Sequence, residues 1–345
     1  MPARMFLAAV ALLGASIACA AARDLTIVSL GSDSVEPLRK VFVLPFVGAT
    51  RIPTSQQSWD GGIDALANHL KAPDSDWDIV ELRGDELAAA CANGLLEKLD
   101  FGVIGGKDHY LPQGVSDCGV GASTRNIVLA WDRDKFPATP TWADFWDIAK
   151  YPGKRGLFKG PRGNLEIALI ADGVAPGDAY KILGTSDGVD RAFRKLDQLK
   201  PYLVWWRTGE EAEHILSSGD VLMTSAPSNQ IAIAARDGRR NFGMQWSASL
   251  CDVMSWAVAK GSPNLRQAMQ FLYFAGTSAI EGRLLDVAGL GGLARDADDL
   301  LPPEVTATSP NNPANLSAAI RFDNGFWRDN LAKLGQRFDA WLAQH

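Results

Sequence analysis

Past its first residues the chain repeats one pattern: a short β-rich run, a turn of small residues, then apolar positions at helical spacing. The first instance is 24–33, where Leu25-Thr26-Ile27-Val28 leads into the turn Gly31-Ser32-Asp33, and Val35, Leu38, Val41 and Phe42 follow at helix period. A second unit runs from Trp59-Asp60-Gly61-Gly62 through a helix bearing Ile63, Leu66 and Leu70 to a strand over 76–82. The turn Arg83-Gly84-Asp85 then opens a helix that ends near Gly94. Residues 118–132 pass from a polar run into an apolar one, and 133–141, rich in proline and charge, read as a linker. Beyond it, 156–160, 202–206 and 220–226 are predicted strands, and 164–173, 177–183 and 214–218 helices. A strand over 254–259, a helix over 264–275 and a closing amphipathic helix over 325–342 complete the chain. Strands alternating with helices predict an α/β fold with largely parallel sheets. In such sheets ligands bind at the turns beyond the carboxyl ends of strands. The polar residues Ser32-Asp33-Ser34 serve equally well as a helix cap.

The opening residues set the compartment. Arg4 precedes an apolar run over 5–18, and Ala18-Cys19-Ala20-Ala21-Ala22 supplies an Ala-x-Ala type cleavage site. Residues 1–22 therefore read as a secretory signal peptide, cut after Ala20 or Ala22; a membrane anchor would need roughly 20 apolar residues. A lipoprotein reading on Cys19 has a poor lead-in in Ser16-Ile17-Ala18. Export to the periplasm makes the cysteines interpretable, since two of Cys91, Cys118 and Cys251 can pair there and one is left over. Cys91 and Cys118 lie near each other around a glycine-rich connection and are the expected bridge; three buried free thiols are the alternative.

With 345 residues, the chain is too long for one compact core and suits two lobes. A net charge of -6 argues against a nucleic-acid partner. Chemistry has little footing: there is no GxSxG, HExxH, Walker A or GxGxxG pattern, and His69, His109, His214 and His345 are scattered without metal-ligand spacing. No cofactor, metal or catalytic residue is expected, and the protein is expected to be monomeric. Tryptophans are conspicuous near turns and strand ends, among them Trp59, Trp77, Trp131, Trp205, Trp206, Trp246 and Trp256. Indole faces attract cations, although core packing is the commoner use.

A set of segments carries a resemblance: Lys154-Arg155-Gly156-Leu157, Asn164-Leu165-Glu166-Ile167-Ala168-Leu169, Trp205-Trp206, Gly219-Asp220-Val221-Leu222-Met223-Thr224-Ser225-Ala226 and Lys260-Gly261-Ser262-Pro263-Asn264. In this order they resemble the polyamine-type (spermidine/putrescine-like) periplasmic solute-binding proteins of ABC importers. Cys118-Gly119-Val120-Gly121 resembles a segment of one subgroup, where it accompanies a cysteine in the preceding helix, here Cys91. The resemblance implies a two-lobed Venus-flytrap fold with hinge crossings near 133–141, 251–256 and 300. One lobe would comprise 23–131 with 254–299, the other 132–253 with 300–345. It also implies a small organic solute held between the lobes, by default a polyamine, and delivery to an inner-membrane ABC permease. An exported enzyme on the same fold is the remote alternative.

Some positions depart from that pattern. Where the family holds ammonium groups with carboxylates, this chain has Gly160-Pro161-Arg162-Gly163 and Met254; where it has aromatics, this chain has Gly31 and Pro227. Asp252 and Asp85 remain to hold a cation. Arg83 and Arg125 stand at turns where a guanidinium would hold a carboxylate or phosphate bidentately, which makes a carboxylate- or phosphate-bearing amine the second candidate ligand. Arg125 could instead pair structurally with Asp33, Asp85 or Asp252, since an unpaired buried arginine is costly. The candidate ligand contacts are thus Asp33, Trp59, Arg83, Asp85, Arg125, Trp206, Asp252 and Trp256.

Overall fold

A computed structural model describes residues 23–236, 238 and 240–344; the expected signal peptide over 1–22 lies outside them. Among the described residues nine strands are formed: β1 (Leu25–Leu30), β2 (Thr54–Trp59), β3 (Ile79–Arg83), β4 (Val120–Asp132), β5 (Arg155–Phe158), β6 (Leu203–Trp206), β7 (Met223–Pro227), β8 (Phe242–Val258) and β9 (Ile320–Arg321). They lie in the order β2-β1-β3-β8-β4-β7-β5-β6, with β9 added to β8. The flanks are parallel, β2-β1-β3 on one side and β7-β5-β6 on the other. The centre is antiparallel, because β8 runs against β3 and β4, and β4 against β7. The expected largely parallel sheet is therefore found only in the flanks. A chain that leaves one half and returns beside its outgoing strand must come back antiparallel to it.

Those two central strands are long. β4 has 13 residues and β8 has 17, so at roughly 3.3 Å per residue each reaches through both halves of the molecule. Side-chain alternation then distributes the cores. In the first half Leu25 and Ile27 pack on one sheet face with Phe42, Phe46, Val120, Trp256 and Phe271, while Val28 turns to the other with Trp59, Trp77, Leu82 and Leu87. In the second half Leu129 and Trp131 join Trp142, Phe145, Leu165, Trp327 and Phe338, and Ala130 faces the opposite layer with Trp206 and Ile215. The chain passes from one core to the other inside β4, between Ala122 and Leu129, and back inside β8, between Leu250 and Met254. The proline-rich segment after β4 is a surface connection within the second half.

Cys91 and Cys118 form a disulfide, and Cys251 is free and buried. The bridge ties the last turn of the Gly84–Ala92 helix to the residues just before β4. Close packing explains the glycines after Cys118: a Cβ on Gly119 would come within 2.8 Å of Leu87, and one on Gly121 within 2.1 Å of Leu293.

Candidate functional site

Strand pairing places the polar residues of the centre on one face. Arg83 opposes Met254, Glu81 opposes Trp256, Ser123 opposes Met254 and Arg125 opposes Asp252. Paired residues project to the same side of a sheet, so Glu81, Arg83, Ser123, Arg125, Asp252 and Met254 share a face where the two cores part. Over part of this face lies a small cavity, partly open to solvent. The first half lines it with Asp33, Ser34, Glu81 and Met254, and the second with Asn229 and Gln230 from the start of the Ser228–Arg236 helix. Ser123 and Arg125 come from the crossing strand between them.

Several of these groups lack internal partners. Arg125 is half-buried and makes no side-chain hydrogen bond or ion pair among the described residues; its Nε, Ser123 Oγ and Asn229 Oδ1 are buried and unpartnered. Buried polar atoms are normally paired, so these are left for solvent or a bound molecule to satisfy. Burial pushes the Glu81 carboxyl up to about 7, opposed by the Leu30 amide and the Arg125 charge and reinforced by Asp33. Glu81 is otherwise held by Leu30 N–H, which donates to Oε2 at 2.9 Å.

Beside Arg125 stands an ion-pair wall. Arg162 donates from Nη1 and Nη2 to the two carboxylate oxygens of Asp252 at 3.3 and 3.0 Å, and its Nη2 lies 3.9 Å from Asp85. Its guanidinium stacks on Phe322, 3.7 Å from the ring centroid. The turn that delivers it is tied down locally. Glu166 accepts from Gly163 N–H at 2.9 Å, Asn164 donates to the Phe158 and Gly160 carbonyls, and Gly163 adopts φ 88°, a left-handed conformation that suits glycine. Burial alone would raise the Asp252 carboxyl, but Arg162, with Arg125 and Arg83 beyond it, holds it below the ordinary carboxylate range. Burial likewise works against the Arg162 charge and is outweighed by Asp252, Asp85 and Glu166, which raise its pKa.

The residues singled out by sequence therefore divide. Asp33 and Arg125 line the cavity, and Asp85 and Asp252 form its neighbouring wall. Arg125 takes none of the three structural partners considered for it; Arg162 takes Asp252 instead. Arg83 donates to Glu86 at 2.6 Å, and Glu86 also accepts from Gly62 N–H, so that guanidinium is engaged within its own lobe. The three tryptophans are core residues: Trp59 packs on Trp77 and donates to the Glu81 carbonyl, Trp206 packs on Phe158, and Trp256 on Phe42 and Phe271. Sequence reasoning missed Glu81, Ser123, Asn229, Gln230 and the pairing role of Arg162. Glu81 was within reach, since period-two alternation from Arg83 puts it on the same strand face. Among the described residues no cluster of His, Cys, Asp and Glu could hold a metal ion.

Two α/β halves joined by long crossing strands, with unpartnered polar groups at the seam, define a two-lobed binding protein of the periplasmic type. The sequence agrees: residues 48–314 match the model of the bacterial extracellular solute-binding protein family, and the chain belongs to that family. It is 37% identical over 331 residues, 96% of this chain and 94% of the relative, to a gamma-aminobutyric acid-binding protein of Pseudomonas aeruginosa. A solved GABA receptor superposes with TM-score 0.84 at 29% identity, covering 94% of this chain and 98% of the other. A spermidine/putrescine-binding protein of Streptococcus pneumoniae, PotD, shares the fold with TM-score 0.73 at 17% identity, covering 93% of this chain and all of the other. Proteins of this family capture a small solute and deliver it to an ABC permease; these relatives are binding proteins, not enzymes.

Proposed function

We propose that this protein is the receptor of an ABC importer for a short ω-amino acid of the γ-aminobutyrate (GABA) type, exported by means of the signal peptide over 1–22 and clasped between the lobes. The observation that carries the reading is Arg125, a half-buried guanidinium with no internal partner among the described residues, lining a cavity whose other charged groups are Asp33 and Glu81. A carboxylate docks on Arg125 through charge-assisted, bidentate hydrogen bonds. The ammonium at the other end of the ligand faces Asp33 and Glu81, and Ser123, Asn229 and Gln230 accept or donate to what remains. The name of the 37%-identical relative points the same way. A polyamine, the ligand class expected by resemblance, needs carboxylates at both ends, and Asp252 is already engaged by Arg162. Ligand binding draws the halves together about the crossing strands, and the permease reads the closed form.

Calorimetric titration with glycine, β-alanine, GABA, 5-aminovalerate and putrescine tests this. GABA or a neighbour in chain length should bind with a heat that disappears for putrescine. Truncating Arg125→Ala should weaken that binding by 30-fold or more, since removing one partner of a buried charge pair costs about 2–5 kcal/mol. Tight binding of putrescine with no response to any ω-amino acid would overturn the assignment.

A further inference from the structure

Asp85 from the first lobe and Asp252 from the crossing strand converge on a single guanidinium, that of Arg162 from the second lobe. Stacking on Phe322 and the paired contacts to Asp252 fix its pose. The arrangement has spare anionic capacity, because Asp85 Oδ1 is buried with no hydrogen-bond partner. Without Arg162 two carboxylates would lie together, out of water and uncompensated, which is the chemistry of an ammonium site.

The location gives this wall a consequence for selectivity. Arg125 and Asp252 are direct cross-strand neighbours, so a ligand end that reaches Arg125 also lies beside the Arg162–Asp252 pair. We infer that Arg162 is the specificity-determining residue of the cleft: a built-in cation that fills the seat a second ammonium group would take, admitting amines that end in a carboxylate and shutting out diamines. This rests on the zwitterion reading above and adds its cause of exclusion. A ligand carboxylate at that end meets two arginines; a second ammonium there meets two like charges while Asp252 is already paired and Asp85 lies behind the Arg162 guanidinium's charge.

The test compares GABA and putrescine, of similar length, by titration calorimetry on the native protein and on Arg162→Gln, with thermal unfolding to verify folding. The ratio of putrescine to GABA affinity should rise tenfold or more in Arg162→Gln, and the rise should vanish in Arg162→Gln/Asp252→Asn, where the freed carboxylate is gone. Should Arg162→Gln fail to fold, Asp252→Asn gives the mirror test. It leaves Arg162 without its main counter-charge, and glutarate should gain on GABA by tenfold or more. An Arg162→Gln protein that binds GABA yet gains nothing for putrescine overturns the inference, as does an Asp252→Asn protein with no gain for glutarate. Native protein that takes putrescine in place of GABA would instead overturn the zwitterion reading itself.

Discussion

At neutral pH the Glu81 carboxyl stands in the middle of its own titration. Burial with only one hydrogen bond to the charged form raises it from 4.5 to about 7, despite the opposing Leu30 amide and Arg125 charge. The folded state therefore binds the proton more tightly than the unfolded chain does. The resulting stabilisation is complete below about pH 4.5 and is lost as pH rises through 7. Its size is on the order of 3 kcal/mol, from about 1.4 kcal/mol per tenfold change in proton affinity. Glu281, pushed up to about 8 by burial, changes in the same direction, so a substitution is needed to isolate Glu81. The melting temperature of the ligand-free protein should fall between pH 5 and pH 8, and Glu81→Gln should flatten that fall and melt higher at pH 8. A variant with the native slope would show that Glu81 is ionised across the whole range. At this scale the sequence was only partly legible. Asp33 could be picked out because it follows a strand-end turn; Arg125 was picked out as a turn residue as well, but it lies inside β4, opposite Asp252. Glu81 and Ser123 sit within strands, where a polar residue on the buried face looks like any other strand residue until its neighbours are known. The tryptophans misled for the opposite reason: their placement near strand ends in the chain does not tell which face they take, and the apolar core claimed all three.

The staple between Cys91 and Cys118 acts on elements. It closes a separation of 27 residues and holds the end of the Gly84–Ala92 helix to the start of β4, the same helix whose first turn carries Asp85 and the same strand that carries Arg125. Chain-entropy reasoning assigns such a bridge roughly 3 kcal/mol. Reduction, or Cys118→Ser, should therefore lower the melting temperature by several degrees, given roughly 2 °C or a little less per kcal/mol in a chain of this length. Ligand affinity should fall as well, because Asp85 and Arg125 lose a common anchor. Thermal unfolding with and without reductant measures the first effect, and titration of the reduced protein the second; an unchanged melting temperature would mean that the bridge constrains nothing the native packing does not already constrain. The pairing and most helices were readable from cysteine spacing and apolar period. The long crossing strands were not. β4 and β8 carry Ser123, Thr124, Asn126, Ser249, Asp252 and Ser255, all buried, so their middle stretches show neither clean alternation nor an apolar run. Proline content drew one expected crossing to 133–141, whereas the passages between the two cores lie inside β4 and, as the crossing expected near 251–256 had it, inside β8.

At the scale of the whole molecule, the Gly84–Ala92 helix of the first lobe lies against the closing helix Asn324–Leu342 of the second. The contact is intimate: a Cβ added to Gly84 would lie 2.0 Å from the Asn324 side-chain nitrogen. Gly84 has no positive φ and sits at the first turn of its helix, so a larger side chain there does not strain the backbone; what it meets is the other lobe. Gly84→Phe should consequently leave each lobe folded while holding the two apart. Binding that requires the closed form is weakened by the fraction of molecules able to close, so a wedge that cuts that fraction to a hundredth lowers apparent affinity about a hundredfold without touching a ligand contact. Three measurements together identify this behaviour. The ligand-free melting temperature should stay near native, affinity for the bound ω-amino acid should drop at least tenfold, and small-angle scattering should lose the compaction that ligand produces in the native protein. Loss of affinity with native-like compaction would place the effect in the neighbouring Asp85–Arg162 contact instead of in closure, and native affinity would mean that solute is held before the lobes meet.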